Sequence, residues 1–211
     1  MVQRQSKEPG EKATKAAKAQ QAAKKPRLSA RDWADAALDA MREGGLAAVA
    51  VEPLATRLGT TKGSFYWHFS GRDALIEAAL ARWAETETEA VIADLAAEPD
   101  PERRLRLLFA IALESAAAEP LVVSLLATAD DPRVAAALRR VTERRIAYVA
   151  VLFGELGFTE DEARRRALHA YSVYLGHTQL AHAVPSALPS GEPLAAYLDS
   201  VLDPLVRRDV G

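Results

Sequence analysis

Residues 60–69 read TTKGSFYWHF. The chain has thirteen aromatic residues, and four of them, Phe65, Tyr66, Trp67 and Phe69, fall in these ten positions. Read as a short helix from about Lys62 to Phe69, the stretch divides its aromatics by geometry. Phe65 and Phe69 are four apart and share a face, which points them into a core against Leu54 and Leu58. Gly63, Ser64 and Trp67 fall on the opposite side, with Lys62 and Tyr66 on a flank. Just upstream, residues 52–58 read as another short helix, and Gly59 lets the chain turn sharply between the two without a Cβ clash. Thr61 is placed to cap the second helix. An exposed Tyr-Trp pair beside Lys62 and His68, carried on a helix behind a tight turn, suits insertion into the DNA major groove. Lys62, Ser64, Tyr66, Trp67 and His68 offer donors to phosphates and base edges.

The rest of the chain is helical as well. It has 211 residues, about half of them apolar with alanine dominant, and no stretch shows convincing two-residue alternation. Pro and Gly cut the helical spacing into segments. The first runs from Ser29 through Trp33, Ala37, Leu38 and Met41 to Gly44-Gly45. A long fourth helix follows Ser70, with Ile76, Leu80 and Trp83 as its stripe, and ends before Glu98-Pro99-Asp100-Pro101. Beyond lie helices over about 101–119, 121–129, 132–156 and 160–183, and a last one to about Arg208. About nine helices without a sheet make an all-α fold. A basic arm over 1–26 precedes these helices.

Charge and composition narrow the function. The net charge of −2 hides a balance of +7 over residues 1–31 and −9 over the remainder. A basic arm on an acidic body is expected to meet polyanions, or else to act as a solubilising tail. No apolar run is long enough to span a bilayer, no secretory leader is present and there is no cysteine, so a soluble cytoplasmic protein is expected. A Gly-rich phosphate loop, a GxSxG elbow and HExxH are all absent. His177 and His182 point about 140° apart on their helix, which argues against a shared metal. The expectation is a protein that is no enzyme and needs no metal or cofactor.

Taken together, Leu54-Ala55, Leu58-Gly59, Thr61 to Phe69 and Arg72-Asp73-Ala74-Leu75 resemble the signature of TetR-family regulators, over about Leu28 to Trp83. The resemblance implies a three-helix DNA-binding domain with a helix-turn-helix over 27–73 and a larger helical effector domain over 74–211 that forms a homodimer through its last two long helices. It implies a repressor that binds an inverted-repeat operator and leaves it when a small-molecule effector binds. Carried over by position, the implied DNA-binding residues are Thr61, Lys62, Gly63, Ser64, Tyr66, Trp67, His68 and Arg72. Arg72 stands where lysine is commoner. Ala50 stands where a capping threonine is frequent, Thr60 where an apolar residue is usual, and Glu52 where a basic residue sometimes meets phosphate.

In the larger domain, Ala163, Ala167, Ala170, Ser172, Gly176, Ala181 and Ala183 are small enough to let a partner helix approach, as a dimer seam would need. Tyr174, His177 and Ala181 follow i, i+3, i+7, with Tyr171 and Thr178 adjacent. This polar-aromatic stripe is expected to line a small-molecule pocket with Phe109, Leu113, Leu125 and Tyr148, or else to sit in a buried interface. The competing reading of the whole chain is a helical ligand-binding or enzyme-like protein whose helix-turn-helix serves protein contacts.

Overall fold

The computed structural model describes residues 28–116 and 118–208, so the predicted N-terminal arm lies outside the described residues. Among these residues there are nine helices and no strand, as the periodicity predicts. Helix α1 (Ala30–Gly44) opens with a capping box: Ser29 Oγ accepts from Asp32 N at 3.2 Å while Ser29 N donates to Asp32 Oδ2 at 2.7 Å. A 3₁₀ turn (Leu46–Ala48) leads to α2 (Val51–Arg57), which has no side-chain cap at Ala50. Gly59, at φ +63°, then closes α2. Thr60 N donates to Ala55 O and Gly59 N to Thr56 O, the paired bonds that stop a helix at a left-handed residue.

Helix α3 (Lys62–Phe65) is shorter than the predicted span to Phe69. Beyond Phe65 the turn tightens into i→i+3 bonds, Trp67 N to Ser64 O and His68 N to Phe65 O, a common way for a helix to end. Helix α4 begins at Arg72–Ala84, passes through a π-helical turn (Glu85–Glu89) and continues as Ala90–Leu95. The sequence reading did not foresee this turn. Helices α5 (Pro101–Ser115), α6 (Leu121–Ala127), α7 (Pro132–Glu155), α8 (Glu160–Ala183) and α9 (Glu192–Val206) complete the chain. Two breaks follow one recipe: Asp100 and Asp131 each cap a helix whose first residue is proline. Hydrogen bonds from the Arg133 side chain hold the Asp131 carboxyl down at about 2.

Two apolar clusters organise the helices. The first gathers Trp33, Ala37 and Met41 of α1, Leu54 of α2, Phe65 of α3 and Leu75, Ile76, Leu80 and Trp83 of α4. It does not stop at the helix-turn-helix: Leu121, Val122 and Leu125 of α6 and Val134, Ala137 and Val141 of α7 belong to it. The second joins α5, α7, α8 and α9 through Leu105, Phe109, Leu113, Leu152, Phe153, Ala167 and Leu202. Polar ties join the helices around the first cluster. Arg42 of α1 reaches Glu87 in the π turn at 2.9 Å and Glu119 before α6 at 3.1 Å, and Arg133 of α7 pairs with Asp73 of α4.

Candidate functional site

The aromatic run is split as the helical geometry requires. Phe65 is fully buried, edge-on to Trp33 at 5.3 Å between ring centres and stacked on Phe69 at 5.6 Å. Tyr66 and Trp67 remain 58% and 78% exposed. Such large aromatic groups left in water beside one another form the kind of surface that marks a binding site. Thr61 Oγ1 accepts from Ser64 N, which orders the first turn of α3. A Cβ on Gly63 would meet only Thr61 Oγ1, at an ordinary 3.6 Å, so the fold itself has no need of glycine there. What glycine leaves is room on the outer side of the helix start. Ser64 and His68 are half-buried, while Thr61, Lys62 and Gly63 are exposed on the same end.

Two expected DNA-binding residues, Lys62 and Arg72, are engaged within the protein. Lys62 Nζ donates to Glu52 Oε1 at 2.7 Å, and this bond lowers the Glu52 carboxyl and raises the Lys62 ammonium from their ordinary values. Arg72 uses Nε and Nη2 to hold the carbonyls of Val49 and Leu46 at 2.6 and 2.7 Å, clamping the 3₁₀ turn to the start of α4. Its Nη1 takes part in neither bond and stays available. Glu52→Gln is therefore expected to tighten duplex binding by a few fold, because it frees Lys62 and removes a charge that repels phosphate. Fluorescence anisotropy with a labelled duplex checks this, and an unchanged affinity would mean that Lys62 does not reach the DNA.

The larger helical part of the chain contains a cavity of about 120 Å³. It lies among α4, α5, α7 and α8. Five of the eight predicted pocket residues line it: Phe109, Tyr148, Tyr171, Tyr174 and Thr178. The other three lie elsewhere. Leu113 packs in the second cluster, Leu125 is taken up by the core shared with α1 and α4, and His177 is buried, stacked on Tyr197 of α9 at 5.7 Å. The walls are mostly apolar, with Val91, Ile92 and Leu108 facing Val149. The sequence reading missed the polar groups that α4 and α7 contribute. Arg145 donates from Nε to Thr88 Oγ1 and from Nη2 to the Glu87 carbonyl, both at 2.9 Å, and from Nη1 to Tyr174 Oη at 3.3 Å. Tyr171 pairs with Thr142 at 3.1 Å, and burial raises its phenol above the ordinary value.

Burial pushes the His177 imidazole below its ordinary value of 6.5. Above that pH the ring is neutral in both folded and unfolded chains and adds no pH dependence. As the pH falls below 6.5, the unfolded chain takes up the proton first, so stability is lost until the folded ring titrates too. The melting temperature of His177→Gln is accordingly expected to fall less than that of the unaltered protein on acidification, in a scanning-calorimetry series across this range. Parallel curves would exclude His177 as the source.

Among the described residues no group of His, Asp and Glu could hold a metal ion, and no helix is long and apolar enough to cross a membrane. Residues 34–79 match the family model of bacterial regulatory proteins, tetR family. No curated protein matches the sequence. The fold is similar to that of a TetR-family transcriptional regulator from Streptomyces coelicolor, with a TM-score of 0.69 at 18% identity over 96% of each chain. It is also similar to a transcriptional regulator from Rhodococcus sp. Rha1, with a TM-score of 0.63 at 22% identity over 85% of this chain and 94% of that one. A third likeness is the regulator FadR of Bacillus subtilis in complex with stearoyl-CoA, with a TM-score of 0.59 at 15% identity over 83% and 96% of the two chains.

Proposed function

We propose that the chain, whose residues 34–79 match the tetR family of bacterial regulatory proteins, is a cytoplasmic repressor that binds an inverted-repeat operator as a homodimer and leaves it when a small-molecule effector occupies the cavity. The observation that carries the DNA reading is the outward Tyr66-Trp67 pair in the turn that ends α3, flanked by the inward Phe65 and Phe69. Two such helices spaced one DNA turn apart would read the two halves of a palindrome.

The dimer reading rests on α8. Ala163, Ala167, Ala170 and Ala181 are buried within the subunit, so the outward seam is narrower than the full row of small residues. Leu168, Ser172, Gly176 and Leu180 follow one another at intervals of four, all exposed, and a Cβ on Gly176 would meet nothing within 4 Å. Two apolar side chains flanking a small, flat centre suit a close helix-to-helix approach. For the effector reading, the support is a mostly apolar cavity with a few hydrogen-bonding groups. Glu87 and Glu119, which both line it, are the residues that Arg42 of α1 holds. An effector that prefers other positions of these two carboxylates would shift α1, and with it the spacing of the two α3 helices.

The test is to incubate the purified protein with a random duplex pool and sequence what it retains at moderate salt. Recovery of an inverted repeat is the expected result. Failure to enrich any motif, with effector-free protein refolded from denaturant, would overturn the reading.

A further inference from the structure

The cavity contains a cation that has no direct ion-pair partner among the described residues. Arg145 lines it, and its hydrogen-bond partners, Thr88 Oγ1, the Glu87 carbonyl and Tyr174 Oη, are all uncharged. Among the described residues it forms no ion pair. The guanidinium lies over the rings of Trp83 and Tyr174, 5.7 and 5.8 Å from their centres, which offsets only part of the cost of withdrawing a charge from water. The two carboxylates on the cavity wall are not its counter-ions. Both pair instead with Arg42, Glu87 at 2.9 Å and Glu119 at 3.1 Å, and neither forms an ion pair with Arg145.

Proton counting then specifies a geometry. A guanidinium carries five N–H groups, and Arg145 uses one on each nitrogen. Two remain, one on Nη1 and one on Nη2, for a carboxylate to accept. One turn further along α7, Tyr148 also lines the cavity, and its hydroxyl is buried without a hydrogen-bond partner. A buried hydroxyl left unpaired is costly, and an acceptor oxygen in the cavity would relieve it. The remaining wall, from Val91, Ile92 and Leu108 to Val149, is apolar.

We infer that the cavity takes an amphipathic monocarboxylate, its carboxylate on Arg145 and Tyr148 and its apolar body against α4 and α5. At roughly 10–15 Å³ per water-sized group, the cavity accommodates on the order of ten non-hydrogen atoms of such a ligand. This ligand class rests on the effector reading of the cavity, but binding and release from DNA are measured separately.

Isothermal titration calorimetry of the full chain at neutral pH with octanoate, 4-phenylbutyrate and the isosteric neutral octanamide tests it. At least one of the two carboxylates is expected to bind, and octanoate at least tenfold more tightly than octanamide. Arg145→Gln should lose that preference while leaving any octanamide binding unchanged, and Arg145→Lys should keep part of it. If Arg145→Gln does not fold, the octanoate-to-octanamide ratio in the unaltered protein and the Lys variant decide. Equal affinity for octanoate and octanamide, a preference that survives in Arg145→Gln, or no binding of either carboxylate would overturn the inference. Carboxylate binding through Arg145 that leaves a selected operator bound would uphold the ligand class and instead overturn release by the effector.

Discussion

Tyr66→Ala is expected to abolish operator binding while helical content, assembly mass and melting temperature stay near those of the unaltered protein. The side chain is more than half exposed, so its removal opens no cavity, and the ring contact it forfeits with Phe65, at 5.1 Å between centres, is an edge contact at the surface. The loss falls on the DNA side. A hydrogen bond to a charged group such as a phosphate contributes about 1.5–3 kcal/mol, and a dimer carries the substitution twice, so the complex is weakened by about 3–6 kcal/mol. That corresponds to roughly a hundredfold to ten-thousandfold in Kd. Trp67→Ala should act in the same direction. Electrophoretic mobility shift on a selected operator, with circular dichroism and analytical ultracentrifugation as controls, reads the result. Normal binding by the Tyr66 variant would remove α3 from the groove.

Trp33→Ala is the substitution expected to cost most in stability. Trp33 is completely buried at the point where α1 meets α3, its ring against Phe65. Truncating a buried Trp or Phe to alanine costs about 3–5 kcal/mol, since the transfer free energy is lost and a cavity remains. Against a total of about 5–15 kcal/mol this is a large share, and at about 2–4 °C per kcal/mol the melting temperature should fall by roughly 6–20 °C. Trp33→Phe should be much milder. It keeps most of the volume and deletes an indole N–H that is buried without a partner. Equal losses from the two variants in differential scanning calorimetry would show that volume is not what Trp33 supplies. Because Phe65 is seated on Trp33, the alanine variant should weaken operator binding too, by letting α3 move.

The parts of the fold legible in the sequence were those with local causes. Capping side chains, proline at the first helical position and glycine at the end fix where most helices start and stop, and each acts within a few residues. The π turn has no such signal: Thr88 is buried five residues after Trp83, but a threonine among glutamates reads as a solvated face. The recognition surface was legible because Phe65 and Tyr66 are separated by the geometry of a single helix. The cavity was only partly so. Leu113, Leu125 and His177 have the same pattern as Phe109, Tyr174 and Thr178, and what separates them is how each helix is rotated against its neighbours. Arg145 was missed for the converse reason. In Thr142-Glu143-Arg144-Arg145 it looks like one more surface charge, and its burial depends on the π turn that brings Thr88 and the Glu87 carbonyl to it.

The apolar cluster that runs from α1 through α4 into α6 and α7 bears on how this protein could be rewired. A graft of the three N-terminal helices alone would cut the chain near residue 73. A graft cut there would carry Trp33, Met41 and Phe65 into a foreign chain but leave behind Leu121, Val122, Leu125, Val134, Ala137 and Val141, which complete their packing. The transplantable unit is a patchwork in three dimensions, and a working hybrid must carry the inner faces of α6 and α7 along with the reader.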